Sequence, residues 1–138
     1  MTRSFISGNE LPELLVVEPD PLIRSTVAGV CKQLNLARVH QAASVQVAQL
    51  TVDSRTMDLM LVSLNEGEQA FTFLERLRAG EWTPMTDVPL AVTSDHAHQE
   101  LVTRVKPLAV RRLLLQPYKI KDIVQTIESL RQELEADA

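Results

Sequence analysis

Apolar residues along this chain fall into two alternating patterns, short unbroken runs and longer stretches with apolar positions three and four apart. Leu14-Leu15-Val16-Val17 is the first unbroken run, and it ends in the acidic, proline-bearing stretch Glu18-Pro19-Asp20-Pro21. Such a run is expected of a strand covered on both faces. Asp20 suits an N-cap and Pro21 a first helical position, after which Ile23, Val27, Val30, Cys31 and Leu34 predict a helix to about Asn35. A short strand is expected over Arg38–Ala42. Ser44 then caps a second helix with Val45, Ala48 and Val52 on its apolar face.

The third run, Leu59-Met60-Leu61-Val62, ends at Ser63. Ala70, Phe73, Leu74 and Leu77 mark a third helix with Arg76 and Arg78 near its end, stopped by Gly80 and Pro84. A fourth strand is predicted over Val88–Val92, with Thr93 and Ser94 at its carboxyl end and Pro89 tolerable only near its start. A fourth helix, roughly His96 to Lys106, should end before Pro107. The fifth strand, about Val110 to Leu115, leads into Gln116-Pro117. Ile120, Ile123, Val124, Ile127, Leu130 and Leu134 form the stripe of a last helix.

Regular alternation of strand and helix predicts an α/β fold: a doubly wound parallel sheet covered on both faces, since each crossover is right-handed. At 138 residues and 45% hydrophobic the chain suits one domain with one core. That domain is expected to span 1–138, with its core at about 13–131 and flexible ends at 1–10 and 135–138. In such sheets chemistry gathers at the carboxyl ends of the strands. The residues placed there are Glu18, Pro19, Asp20, Ser63, Thr93 and Gln116.

These segments together resemble the receiver domain of two-component response regulators, the CheY-like family, from Leu14 to about Leu130. Leu15-Val16-Val17-Glu18-Pro19-Asp20 is similar to the family's first strand and its acidic end. Met57 through Ser63 resembles the strand that bears the phosphoacceptor, and Leu90-Ala91-Val92-Thr93-Ser94 the strand ending in a switch threonine. Leu113-Leu114-Leu115-Gln116-Pro117-Tyr118 resembles the strand ending in lysine, proline and an aromatic. The resemblance implies a flavodoxin-like (βα)5 sheet with strand order 2-1-3-4-5.

In that family an acidic pair helps bind magnesium, an aspartate takes the phosphoryl group, a hydroxyl contacts it and a lysine neutralises it. The matching positions here hold Glu18 and Pro19, Ser63, Thr93 and Gln116; only Glu18, Thr93 and Pro117 keep their roles. Magnesium wants hard carboxylate oxygens, so one carboxylate where the family supplies up to three makes its binding weak or absent, and no other cofactor is implied. A serine hydroxyl is a weak nucleophile without a base or metal to activate it. A lysine beside the missing carboxylate would cost on the order of several kcal/mol, as in a broken buried ion pair, and Gln116 removes that cost. A shifted alignment would make Asp58 or Glu66 the acceptor. Asp58, however, precedes the third strand's run and Glu66 lies beyond its end.

The implied function is a degenerate, non-enzymatic receiver module in a bacterial phosphorelay, independent of phosphorylation and acting by protein contact. Its partner, or a second copy, would meet the fourth helix, fifth strand and fifth helix through Leu101, Arg104, Leu113, Leu115 and Tyr118. Leu113 stands where the family often has a rotating aromatic. The last helix extends the same face, with Glu128, Arg131, Glu133 and Glu135 around its stripe. The alternatives are a small-ligand or nucleotide-binding module, using the pocket of Glu18, Asp20, Ser63 and Thr93 or an arginine cluster, and a residual receiver with another acceptor.

Charge and composition narrow the partners. The net charge of −4 and pI near 5.3 give no global attraction to nucleic acid or an anionic membrane, and five aromatics make no stacking platform. No bilayer-length apolar run or secretory stretch occurs, so the expected location is cytoplasmic. Cys31 reads as a small core residue. Asp95-His96-Ala97-His98 places its imidazoles on different sides of a helix, so an N-cap aspartate with two exposed histidines is expected there and no metal site. Arg104, Arg111 and Arg112 form a possible anion contact, although solvated surface charge is the usual account. The chain lacks a glycine-rich phosphate loop, and Ser63 lacks a Gly-x-Ser-x-Gly elbow that would bring His40, His96 or His98 to it.

Overall fold

A computed structural model describes residues 10–96 and 99–136. The five strands are β1 Glu13–Val17, β2 Arg38–Ala42, β3 Leu59–Ser63, β4 Leu90–Ser94 and β5 Arg112–Leu115. They form one parallel sheet in the order β2-β1-β3-β4-β5. The helices are α1 Pro21–Gln33, α2 Val45–Ser54, α3 Glu68–Arg78, α4 Gln99–Val105 and α5 Ile120–Ala136. The fold is the flavodoxin-like α/β sheet that the alternation predicts, in the expected strand order.

Alternate strand residues face two separate cores, because successive side chains point to opposite faces of the pleat. Leu15, Val17, Met60, Val62, Leu90 and Val92 pack against α2, α3 and α4. Leu14, Val16, Leu59, Leu61 and Ala91 pack against α1 and α5, with Cys31 among them. Burial raises the Cys31 thiol pKa to about 11, consistent with a small core residue.

Boundaries differ from the expected ones for local reasons. Helix α1 ends at Gln33, since Asn35 adopts the left-handed conformation with φ 52°, one of the few residue types that does so readily. Strand β4 begins at Leu90; a 3-10 turn at Met85–Asp87 leads into it, and the Pro89 carbonyl accepts from the Met60 N–H at 3.0 Å. Helix α4, described over Gln99–Val105, passes into a 3-10 turn at Lys106–Leu108, where Pro107 is tolerated as an early position that needs no N–H partner. Strand β5 begins at Arg112, because the chain turns at Ala109 with φ 53°. Asp95 stands four residues before α4 and does not cap it; its carboxylate pairs with the His96 ring. His98, and residues 1–9 and 137–138 of the ends expected to be flexible at 1–10 and 135–138, lie outside the described residues, whereas 135 and 136 continue α5 as helix.

Candidate functional site

The carboxyl ends of β1, β3, β4 and β5 converge because the strands are parallel and in register, with Ser63 beside Thr93 and Ser94 beside Leu115. Glu18 follows β1 and is 4% exposed; Ser63 and Thr93 are 1% and 2% exposed. The sheet therefore brings the three together. Glu18 Oε2 accepts from the Asp20 N–H at 2.9 Å, and Arg24 donates to the Glu18 carbonyl at 2.8 Å. Burial raises the Glu18 pKa, and the nearby Asp20 and Glu66 carboxylates add to the effect against the Asp20 N–H and the Arg24 charge.

The other acidic groups are committed elsewhere. Asp20 Oδ1 accepts from the Leu22 and Ile23 N–H groups at 2.9 and 3.3 Å, which makes it the N-cap of α1 as expected. Glu66 Oε2 accepts from the Val45 N–H at 3.0 Å and so supports the start of α2, where Ser44 also caps. Asp58 lies at the opposite end of the sheet, 5% exposed, and accepts from the Glu13 N–H at 2.8 Å. Pro19 is exposed and offers no side-chain donor or acceptor.

The loop from β3 to α3 supplies residues that no periodicity or charge pattern marks. The Asn65 N–H donates to Ser63 Oγ at 3.1 Å, and its side chain reaches the chain just beyond β4 and β5. Asn65 Oδ1 accepts from the Asp95 N–H at 3.1 Å, and Asn65 Nδ2 donates to Gln116 Oε1 at 3.0 Å. Gly67, with φ 73°, lets the loop turn into α3. Burial, then the Glu18 charge, raises the Tyr118 pKa to about 12. Tyr118 and Ile23 close a cleft over Glu18, Ser63 and Thr93 that leaves no room for a water-sized sphere. Outside it, a groove of about 430 Å³ runs past Ile23, Asp95, Gln116, Pro117 and Tyr118.

The residues expected on a partner face separate. Leu101 is buried in the core and Leu113 packs inward against it, while Leu115 is exposed on the β5 edge. Tyr118 turns towards the cleft and the α1 side of the sheet. Arg104 lies over the Phe71 ring at 3.9 Å and pairs with Glu68 through two contacts. That bond lowers the Glu68 pKa and raises that of Arg104. Arg111 instead donates to Ser129 Oγ on α5 at 3.0 Å.

No family model matches the sequence, and no curated protein matches it. Solved structures do match. A response regulator from Thermotoga maritima is 20% identical, over 89% of this chain and 99% of its own, with a TM-score of 0.78. A CheY-like receiver domain protein from Methanospirillum hungatei JF-1 is 15% identical, over 94% and 100%, with a TM-score of 0.81. A sensor protein from Polaromonas sp. JS666 is 26% identical, over 92% and 98%, with a TM-score of 0.76. The fold is that of a CheY-like receiver domain. On a receiver fold the cleft of Glu18, Ser63, Thr93 and Tyr118 falls at the carboxyl ends of the strands, where open α/β sheets hold their ligands. Among the described residues, no helix is long and apolar enough to cross a membrane, and no group of three or more His, Cys, Asp or Glu could hold a metal.

Proposed function

We propose that this chain is a receiver-like signalling module that acts by protein contact and does not accept a phosphoryl group by the usual route. The observation that carries this reading is the cleft at the end of β3, where a serine hydroxyl stands under Tyr118 and Ile23 with no space for even a water. Phosphoryl transfer depends on in-line approach and on neutralising charge around the transferred group. Here no cation stands at position 116, and the Ser63 oxygen already accepts from Asn65.

The donors do not suit magnesium either. The ion demands near-octahedral oxygen ligands at short range, yet Asp20 and Glu66 are engaged at helix N-termini, and Pro19 offers nothing. In this reading the chain catalyses nothing and takes no cofactor. Its partner, another protein or a second copy, meets the face of α4, β5 and α5, where Val102 and Leu115 are 49% and 45% exposed.

Incubation with magnesium and acetyl phosphate or phosphoramidate, followed by intact mass, tests this directly. An unchanged mass beside an active receiver control is the expected result. A gain of one phosphoryl group overturns the reading, and mapping it would show which residue acts as acceptor.

A further inference from the structure

We propose that Tyr118 is a two-position lid, seated over the cleft of Glu18, Ser63 and Thr93 in the major state and swung out into the neighbouring groove in a minor one. The feature that points to it is a hydroxyl inside the cleft that the closed lid leaves without a partner. The lid stands or falls independently of whether Ser63 accepts a phosphoryl group.

Among the described residues, two buried side-chain oxygens make no hydrogen bond, Thr93 Oγ1 and Thr126 Oγ1. They differ in what can rescue them. Thr126 lies on α5, where a change of rotamer brings a threonine hydroxyl to a carbonyl of the preceding turn. Thr93 lies on β4, with no such turn beside it, and it lines the cleft with Ser63 and Glu18 at 2% exposure. An orphaned group is ordinarily met by an ordered water, but the cleft has no room for one while Tyr118 and Ile23 close it. A hydroxyl held dry in this way tips an equilibrium by about tenfold or more. The buried Glu18 carboxylate, with one oxygen on the Asp20 N–H, adds a second group that water would favour.

The lid also has somewhere to go. Ile23 and Tyr118 form the wall that the cleft shares with the groove of about 430 Å³ past Asp95, Gln116 and Pro117. Both are half-buried, so neither is packed on all sides. Ile23 is carried by α1 and is stiff at χ1, whereas Tyr118 stands in the connection between β5 and α5. The ring is therefore the moving part. Its packing on the α1 side of the sheet favours the closed state, and the dry Thr93 hydroxyl opposes it. Opposing effects of similar size leave a minor state populated at the level of about one to ten per cent. Whatever seats in the groove then holds the lid shut, and whatever reaches the cleft must hold it open, so the two sites exclude one another. The groove lies just past β4 and β5, beside the face proposed for the partner.

Tyr118 is the chain's single tyrosine, so tyrosine labelled with carbon-13 at Cζ gives one signal. Cζ lies on the ring axis, where ring flips leave it in place. Relaxation dispersion at that carbon in the wild-type protein should detect a second state at a population of at least about one per cent. Thr93→Val keeps the shape of the side chain and removes the orphaned hydroxyl. The open state should then fall by about tenfold and the melting temperature should rise.

A wild-type Cζ without a second state overturns the lid, as does an open population that is the same in Thr93→Val. A Thr93→Val protein that is less stable than wild type, or unfolded, shows that the hydroxyl is favourably held and overturns it too. No phosphodonor enters this experiment. A mass gain with acetyl phosphate would sink the proposed function while the dispersion still decided the lid.

Discussion

At the amino end of the sheet, half-buried Arg78 reaches from the end of α3 to four carbonyls. It donates to Leu108 at 2.7 Å, to Thr86 and Val88 at 2.9 Å each, and to Ala109 at 3.3 Å. At the carboxyl end, Gln116 stands where a receiver is expected to carry a lysine, and its side-chain oxygen accepts from the Asn65 amide. Burial pulls the Arg78 pKa down while the Asp87 and Glu133 charges oppose it, so the charge is held by its partners. A half-buried cation survives where four of its five donors find acceptors. Where the third strand ends in serine, the position across from it is neutral.

The largest expected effect is at the charged end. Arg78→Ala removes an arginine whose fork ties the approaches to β4 and β5, and it should cost about 3 kcal/mol in urea denaturation, as for a broken buried network. Arg78→Lys should recover only part, because an ammonium cannot reproduce the planar fork. A loss under about 0.5 kcal/mol would place Arg78 with ordinary surface groups and remove one side of the contrast.

The neutral end is tested by restoring charge. Ser63→Asp places a carboxylate in a cleft without space for water, and Gln116→Lys places an ammonium without a partner; each should destabilise by about 2 kcal/mol. The double variant should cost less than the sum, with a coupling of about 1–2 kcal/mol in a double-mutant cycle. Strict additivity would mean that Ser63 and Gln116 changed independently.

How far the sequence discloses each end follows from the same contrast. The unbroken runs Leu14–Val17 and Leu59–Val62 specify strands covered on both faces, and periodicity placed α1, α3 and α5 to within a few residues. Ser63, Thr93 and Glu18 were legible because a strand's last residue falls at a fixed place in a parallel sheet. Asn65 was not, since a loop amide has no period and its bonds depend on two other strand ends 30 and 51 residues away. The sequence marks Arg78 only as a basic residue near a helix end, because its carbonyl partners exist only once the chain has turned at Ala109. Leu101 is expected on a partner face, yet it packs in the core from the short helix α4.

Glu18 carries the pH dependence of the neutral end. Its folded pKa is raised, so the folded protein holds more protons than the unfolded chain between the ordinary value of 4.5 and the folded one. Stability then falls as pH rises through that window, the reverse of the usual paired carboxylate. Glu18→Gln should raise the melting temperature modestly near neutral pH and flatten the slope. A variant less stable than wild type at neutral pH would show that the ionised Glu18 is favourably held.

The smallest effect separates two kinds of connection, one at the start of α3 and one on the loop before it. Glu68 and Arg104 are exposed, their side chains 78% and 31% accessible, so salt screens their attraction. The Glu68 pKa is lowered, chiefly by its bond to Arg104, so any stability it adds is present above the ordinary carboxylate value and is lost as pH falls through the folded one. Glu68→Gln should therefore shift the melting temperature slightly at low ionic strength and not at all in high salt. Asn65→Ala should produce the same shift at both, because its bonds link amides and a backbone N–H and involve no net charge. A salt-sensitive Asn65→Ala would mean that the loop is held through its charged contacts, and the carboxyl end would then depend on charge as the amino end does.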